Sequence, residues 1–255
     1  MSEGKHRKAR PILENAVEIC TQELGEKSPL TCFVTTRLAH LIMADGDTDK
    51  AMAMLEKVVD LEKDKLRGKA PNFGNTLMIV AIGHMELGEY ELAEEKVLQA
   101  LQILEYNFGE YREITGDAQA LLADIYFATG RLQEARDRQK KAVAIYKVAL
   151  SPGHYNLGDA YNSLGIIQAS TADYEDAAIS FKKAQAVMEG SFGLDHPESG
   201  IIYKNMAICY EAMGEDEQAQ SYLDKAAAIQ GEIEPSSQPV FTSGLGKFWR
   251  NWARE

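Results

Sequence analysis

Glycine recurs in this chain at one fixed interval. Gly4, Gly46, Gly88, Gly130 and Gly214 fall on a register of 42 residues, and the remaining member of the series is Ala172. Six anchors without an insertion make a repeat, and a repeat restricts the fold to units that stack on copies of themselves. The neighbours keep the register. Five residues after each anchor stands Ala9, Ala51, Ala93, Ala135, Ala177 or Ala219. Twelve after stands Ala16, Val58, Ala100, Ala142, Ala184 or Ala226. Seven before stands Ala39, Ala81, Ala123, Gly165 or Ala207.

These offsets are helical. Apolar residues at 5, 9, 12 and 16 after an anchor share one face of a helix, and so do those at 11, 8, 7 and 4 before it. Each unit is therefore two amphipathic helices meeting at the anchor, where glycine ends the first as a C′ residue. Small side chains at fixed positions let the two backbones approach. The second helices are expected at about 5–24, 47–66, 89–108, 131–150, 173–191 and 215–231, and the first helices at about 29–44, 71–87, 112–129, 155–170 and 197–213. Eleven helices follow, in an all-α stack over residues 1–231. The chain opens on a second helix with no first one before it. Either a preceding segment or another protein is expected over that apolar face.

The repeat disposes of one motif. Residues 45–56 read DGDTDKAMAMLE, with Asp45, Asp47, Asp49 and Glu56 spaced like calcium ligands of an EF-hand loop. That loop needs glycine at its sixth position, and here the position is Lys50, a cation. The same segment of other repeats is Gly88-Glu89-Tyr90 or Gly130-Arg131-Leu132, with no ligand set. Aspartate and threonine there suit a turn and a helix N-cap.

Other chemistry is sparse. The five histidines (His6, His40, His84, His154, His196) sit in different repeats, with no HExxH and no Cys/His cluster at metal spacing. His84 occupies a packing position. No GxSxG, P-loop or dinucleotide fingerprint occurs, and no cofactor is expected. A net charge of −12 disfavours nucleic acid as a partner. Cys20, Cys32 and Cys209 form no CxxC pair, which fits a reducing, intracellular compartment. The cytoplasm is expected, with an organelle (mitochondrion or plastid) as the alternative. No stretch approaches the roughly 20 apolar residues of a membrane span; the densest run, 77–82, is far shorter.

The pattern resembles the tetratricopeptide repeat (TPR). Gly88-Glu89-Tyr90-Glu91-Leu92-Ala93 and Ala172-Asp173-Tyr174-Glu175-Asp176-Ala177 are similar to its turn. A period of 42 rather than 34, and the segment Ser191-Phe192-Gly193-Leu194-Asp195-His196-Pro197, resemble the kinesin light chain subtype. The resemblance implies a right-handed solenoid of antiparallel hairpins whose first helices line a concave groove. Groove positions would lie 10, 6 and 3 residues before each anchor. They include Met78, Ile82, Met85, Phe127, Asn162, Ile166 and Lys204, with Asn205 beside them. The alternative reading of the apolar members is helix-to-helix packing. The lysine–asparagine set that clamps a carboxylate in some relatives is reduced to Lys204 and Asn162. The asparagines of the kinesin light chain groove are reduced to Asn162 and Asn205, and Met78, Ile79, Ala120 and Leu121 depart from them.

Beyond the repeats, residues 232–244 are rich in Pro, Ser and Gly and read as a linker. In residues 245–255, Leu245, Phe248, Trp249 and Trp252 form an apolar helical stripe edged by Lys247, Arg250 and Arg254. Such a tail is expected to dock on a partner or a membrane surface, or to cap the last repeat. The functional expectation is a non-enzymatic scaffold contacting other proteins through groove and tail. It is a structural subunit of a larger, membrane-associated assembly, or alternatively a kinesin light chain-like cargo or signalling adaptor.

Overall fold

The computed structural model describes residues 3–66, 71–193 and 196–230. Among the described residues there are eleven helices and no strand: α1 (Glu3–Leu24), α2 (Pro29–Ala44), α3 (Thr48–Leu66), α4 (Pro71–Glu86), α5 (Tyr90–Phe108), α6 (Glu113–Ala128), α7 (Leu132–Ala149), α8 (Tyr155–Ser170), α9 (Tyr174–Phe192), α10 (Pro197–Ala212) and α11 (Asp216–Gln230). Every end falls within two residues of the position expected from the periodicity. The tail residues Phe248, Trp249 and Trp252 lie outside the described residues.

The anchors work as the spacing implies. At each of the five turns the residue after the C-cap has positive φ: Gly46, Gly88, Gly130 and Gly214 at 75° to 94°, and Ala172 at 59°. The hydrogen bonds are those of a Schellman motif. Gly46 N–H donates to Met43 O at 2.8 Å and Asp47 N–H to Ile42 O at 3.2 Å. The pair recurs as Arg131 N–H to Tyr126 O with Gly130 N–H to Phe127 O, and as Asp173 N–H to Gln168 O with Ala172 N–H to Ala169 O. The carbonyls that a helix end leaves unpaired are thus satisfied identically in every repeat. Asp45 to Lys50 belongs to this turn. Asp47 Oδ1 accepts from Lys50 N–H at 3.4 Å, and Thr48 Oγ1 donates to Glu86 at 2.7 Å.

Ala172 is the odd member. An L side chain in the left-handed region costs about 1–2 kcal/mol, part of which glycine returns through the entropy of its unfolded chain. Ala172→Gly is expected to stabilise the protein by about 0.5–1 kcal/mol, read as a rise in urea midpoint at constant m. An unchanged or lower midpoint would refute it.

The starts of α2, α8 and α10 are capped by a side chain from the preceding loop, whereas Arg112 before α6 makes no such bond. Ser28 Oγ accepts from Leu30 N–H, and His154 Nδ1 and His196 Nδ1 accept from Asn156 N–H and Glu198 N–H, each at 3.3 Å. Pro29 and Pro197 follow in the first turn, where no N–H is required.

The helices group into two compact units, α1–α5 and α6–α11. In the first, α2/α3 and α4/α5 are hairpins, α1 packs on α2, α3 on α4, and the first helices α2 and α4 touch. In the second, α6/α7, α8/α9 and α10/α11 are hairpins, joined by α7 on α8 and α9 on α10, and α8 touches α10. Each unit is a run of antiparallel hairpins stacked as in a helical-repeat solenoid. The small-residue positions set the spacing: a Cβ on Gly165 would lie 2.6 Å from the Phe181 ring. Arg136 ties one turn to the next, reaching Asp173 at 2.5 Å and Asp176 at 3.1 Å.

Candidate partner-binding face

The groove residues lie on the first helices, α4 in one unit and α6, α8 and α10 in the other. In unit one, Met78 is 2% and Ile82 7% exposed, both in the interior; Met85, one turn on, is half-buried. His84 is half-buried and pairs with Glu89, Nδ1 to Oε2 at 2.7 Å. Exposed large apolar side chains occur on α1 and α2, as they do at Tyr106 on α5, Val148 on α7 and Ile179 on α9. Ile12 and Ile19, two turns apart, are 68% and 51% exposed, and Leu30 and Phe33 are also exposed.

In unit two, Ile166 is fully buried in the cluster of Phe181, Met188, Met206 and Tyr210, and Phe127 packs half-buried against the same cluster. Asn162 and Asn205 are buried together, with Asn205 Nδ2 donating to Asn162 Oδ1 at 3.4 Å. Lys204 is half-buried. Two of the asparagine positions are thus adjacent on α8 and α10, while Ile166 is interior.

The structure adds a site that the spacing did not single out. A cavity of about 20 Å³ is lined from α6, α7 and α8 by Asp124, Gln139, Tyr146, Asn156, Asp159 and Ser163, among others. Gln139 Nε2 donates to Ala160 O at 2.9 Å, and Asn156 Nδ2 donates to Glu113 Oε1 at 3.0 Å. The carbonyl ends, Gln139 Oε1 and Asn156 Oδ1, are buried with no partner. Leaving such a group unpaired costs about 1–3 kcal/mol. Tyr146 donates its hydroxyl to Asp117 Oδ1 at 2.6 Å. Burial pushes the Asp117 carboxyl up to about 7; the Tyr146 hydrogen bond opposes the shift and the Glu113 charge adds to it. Tyr146 itself is pushed well above the usual phenol range by the same burial and by Asp117.

Sequence spacing held a signal for this site. The position nine after the anchor is Leu13, Leu55, Val97, Gln139, Phe181 and Leu223, so Gln139 is a polar residue in an apolar register. The position sixteen after is Cys20, Glu62, Leu104, Tyr146, Met188 and Gln230, where Glu62, Tyr146 and Gln230 depart in the same way. A polar group at a core position needs a partner, and such departures mark where to look.

Family models described as tetratricopeptide repeat match residues 73–147, 117–190 and 156–232, and a second such model matches 36–65. Solved structures share the fold. BtubC (BKLC) from P. vanneervenii is similar with a TM-score of 0.77 at 20% identity, over 91% of this chain and 95% of that one. A Podosopora anserina putative kinesin light chain with nearly identical TPR-like repeats gives 0.68 at 24% identity, over 77% of this chain and 92% of that one. YrrB, a TPR protein with an unusual peptide-binding site, gives 0.55 at 17% identity, over 85% and 93%. At these identities the likeness is one of fold. No curated protein matches the sequence.

Proposed function

The chain belongs to the tetratricopeptide repeat family, whose fold supports protein–protein interaction scaffolds, and on that premise we propose that it is a non-enzymatic, constitutive subunit of a larger assembly. The observation that carries this reading is the apolar surface of unit one. Ile12 and Ile19 fall two turns apart on α1, more than half exposed, with Leu30 and Phe33 exposed on α2. Exposed apolar groups at helical spacing mark a contact surface, and a permanent partner is the kind that tolerates an apolar interface of this composition. The aromatic tail with Phe248, Trp249 and Trp252 offers a second contact, to a partner or to a membrane-bound complex. A reducing compartment, the cytoplasm first, accords with a sequence in which Cys20, Cys32 and Cys209 form no CxxC pair.

A second reading is a kinesin light chain-like adaptor that takes extended peptides on its first helices. The 42-residue period supports it, as does the inter-repeat loop, where Phe192 stacks on the capping His196 with ring centroids 4.5 Å apart. YrrB offers a precedent for peptide binding on this fold.

Affinity capture from native extract in mild detergent, with crosslinking mass spectrometry, separates the two. A fixed set of partners at constant stoichiometry, crosslinked through α1, α2 and the tail, is the expected result. A changing, substoichiometric set would favour the adaptor. Catalytic turnover by the purified chain would overturn both.

A further inference from the structure

The second helices of unit two carry a basic face that the stacking does not use. Lys140, Lys141 and Lys147 on α7 and Lys182 and Lys183 on α9 are all exposed. Lys182 and Lys183 stand 42 residues after Lys140 and Lys141. The same two positions of the other repeats are Glu14-Asn15, Glu56-Lys57, Leu98-Gln99 and Asp224-Lys225, so the repeat itself asks for no lysine pair there. Arg136 on α7 reaches Asp173 and Asp176 at the start of α9, which ties the two helices together and engages two nearby acids.

The usual reasons for a surface lysine do not cover this set. The helix dipole favours cations in the last turn, and only Lys147 is there. An acid three or four residues away would pair with a lysine, but none stands at those distances from Lys147, Lys182 or Lys183. Asp137, one turn before Lys140 and Lys141, accepts from Gln133 instead. Glu189 accepts from Tyr203 and Gln185. Lys140, Lys141 and Lys147 make no ion pair, hydrogen bond or ring contact with any described residue. Lys182 and Lys183 lie over the rings of Tyr210 and Tyr161, 5.4 and 5.6 Å from the centroids, with Glu215 acting on Lys182 from further off. Val148, next to Lys147, and Ile179, one turn before Lys182, are 67% and 51% exposed.

The partner that such a face fits is anionic, with aliphatic groups among its acids. Its size decides the class. At physiological salt an exposed charge is screened within about 8 Å. A narrow acidic segment laid on α7 and α9 senses the lysines. A bilayer or a nucleic-acid duplex extends over the rest of a chain whose net charge is −12, and is repelled there.

We propose that the exposed face of α7 and α9 binds an acidic segment of a partner protein, its carboxylates on the lysines. The proposal rests on the scaffold reading and places this contact on second helices rather than first ones.

The test uses the whole chain, ¹⁵N-labelled, titrated with an acetylated peptide of Glu-Glu-Leu repeats and, separately, with its Gln-Gln-Leu counterpart. The expected result is a saturable shift of the amide resonances of residues 140–148 and 179–186 with the glutamate peptide only, weakening as salt rises. Lys140→Gln/Lys141→Gln/Lys147→Gln removes no contact within the described chain. It is expected to weaken binding about tenfold with the circular dichroism spectrum unchanged. Lys182→Gln/Lys183→Gln repeats the test on α9, and the α7 variant decides if this one fails to fold. Lys50→Gln/Lys57→Gln, on exposed positions of α3, is expected to bind as the wild type does. Equal loss in that control, equal response to the glutamine peptide, or no saturation overturns the site. Tighter binding to phosphatidylserine vesicles or to a DNA duplex than to the peptide overturns the choice of a protein segment. Failure here with partner capture from extract intact removes this face alone, whereas loss of all partner capture removes the scaffold reading.

Discussion

Replacing Asp117 by asparagine is expected to make the protein more stable at pH 8 by up to about 4 kcal/mol, and to leave it unchanged near pH 4. Asp117 is buried on α6, and burial raises its carboxyl from an ordinary value of 3.8 to about 7. The groups that act on it are Tyr146 on α7 and Glu113 on its own helix, and Asp124 acts in turn on Tyr146. None of them is a cation. An acid raised in this way keeps its proton in the native state where the unfolded chain has already lost it. Below about pH 4 both states are protonated and the group costs nothing. Between about 4 and 7 the unfolded chain ionises first, so native stability falls as pH rises. Above about 7 the deficit is constant, near 4 kcal/mol at ~1.4 kcal/mol per pH unit. Glu62, buried on α3 and raised to about 6 by burial, with a side-chain hydrogen bond from Thr76 opposing the shift, acts in the same direction. The wild type is thus expected to be more stable at pH 5 than at pH 8. Asp117→Asn removes the larger part of that slope, since its amide oxygen still accepts from Tyr146. Urea midpoints of both proteins from pH 4 to 8 check this. Parallel profiles would mean that Asp117 ionises freely in the native state.

What was legible in the sequence was whatever the repeat must do identically each time. A helix end must satisfy its carbonyls and reverse the chain, so Gly46, Gly88, Gly130 and Gly214 stand in register and all have positive φ. Ala172, the exception in sequence, adopts the same turn, because the hydrogen bonds from Ala172 and Asp173 to the end of α8 hold it there. The small residues seven before each anchor were equally legible, Gly165 most plainly, since the Phe181 ring occupies the place of its missing side chain.

Which side of a first helix faces outward was not legible in the same way. Helix α4 is in contact with α2, α3 and α5. Residues 77–82 are all buried in consequence, and a helix enclosed on several sides loses the periodicity that would point to its outer face. Counting 10, 6 and 3 back from an anchor therefore named Met78, Ile82 and Ile166, which are interior, together with Met85, Phe127 and Lys204, which are partly exposed. The polar cavity escaped for the opposite reason. Its members are single departures from the repeat, spread over α6, α7 and α8, and the folded chain brings them together.

Ile82→Glu carries the second large effect, and it falls on folding. A fully buried isoleucine contributes about 1.5–3 kcal/mol by removal from water. At 7% exposure, a glutamate in its place would be left without that contribution and with a carboxylate in an apolar interior. The neighbours at 77–81 offer only Leu, Met, Ile, Val and Ala side chains. An uncompensated buried charge costs about 3–5 kcal/mol when its partner is absent. Together these reach roughly 5 kcal/mol or more, comparable to the whole stability of an ordinary domain. The expected result is loss of the cooperative urea transition of α2–α5 at pH 7.5, with amide exchange in α4 no longer protected. Met85→Glu, one turn along the same helix and half-buried, is expected to fold, with a smaller loss of about 1–2 kcal/mol. A variant Ile82→Glu that melts like the wild type and has lost its partners would place Ile82 on the binding face. In a helix gripped on three sides, the ordering Ile82→Glu far below Met85→Glu follows from burial alone.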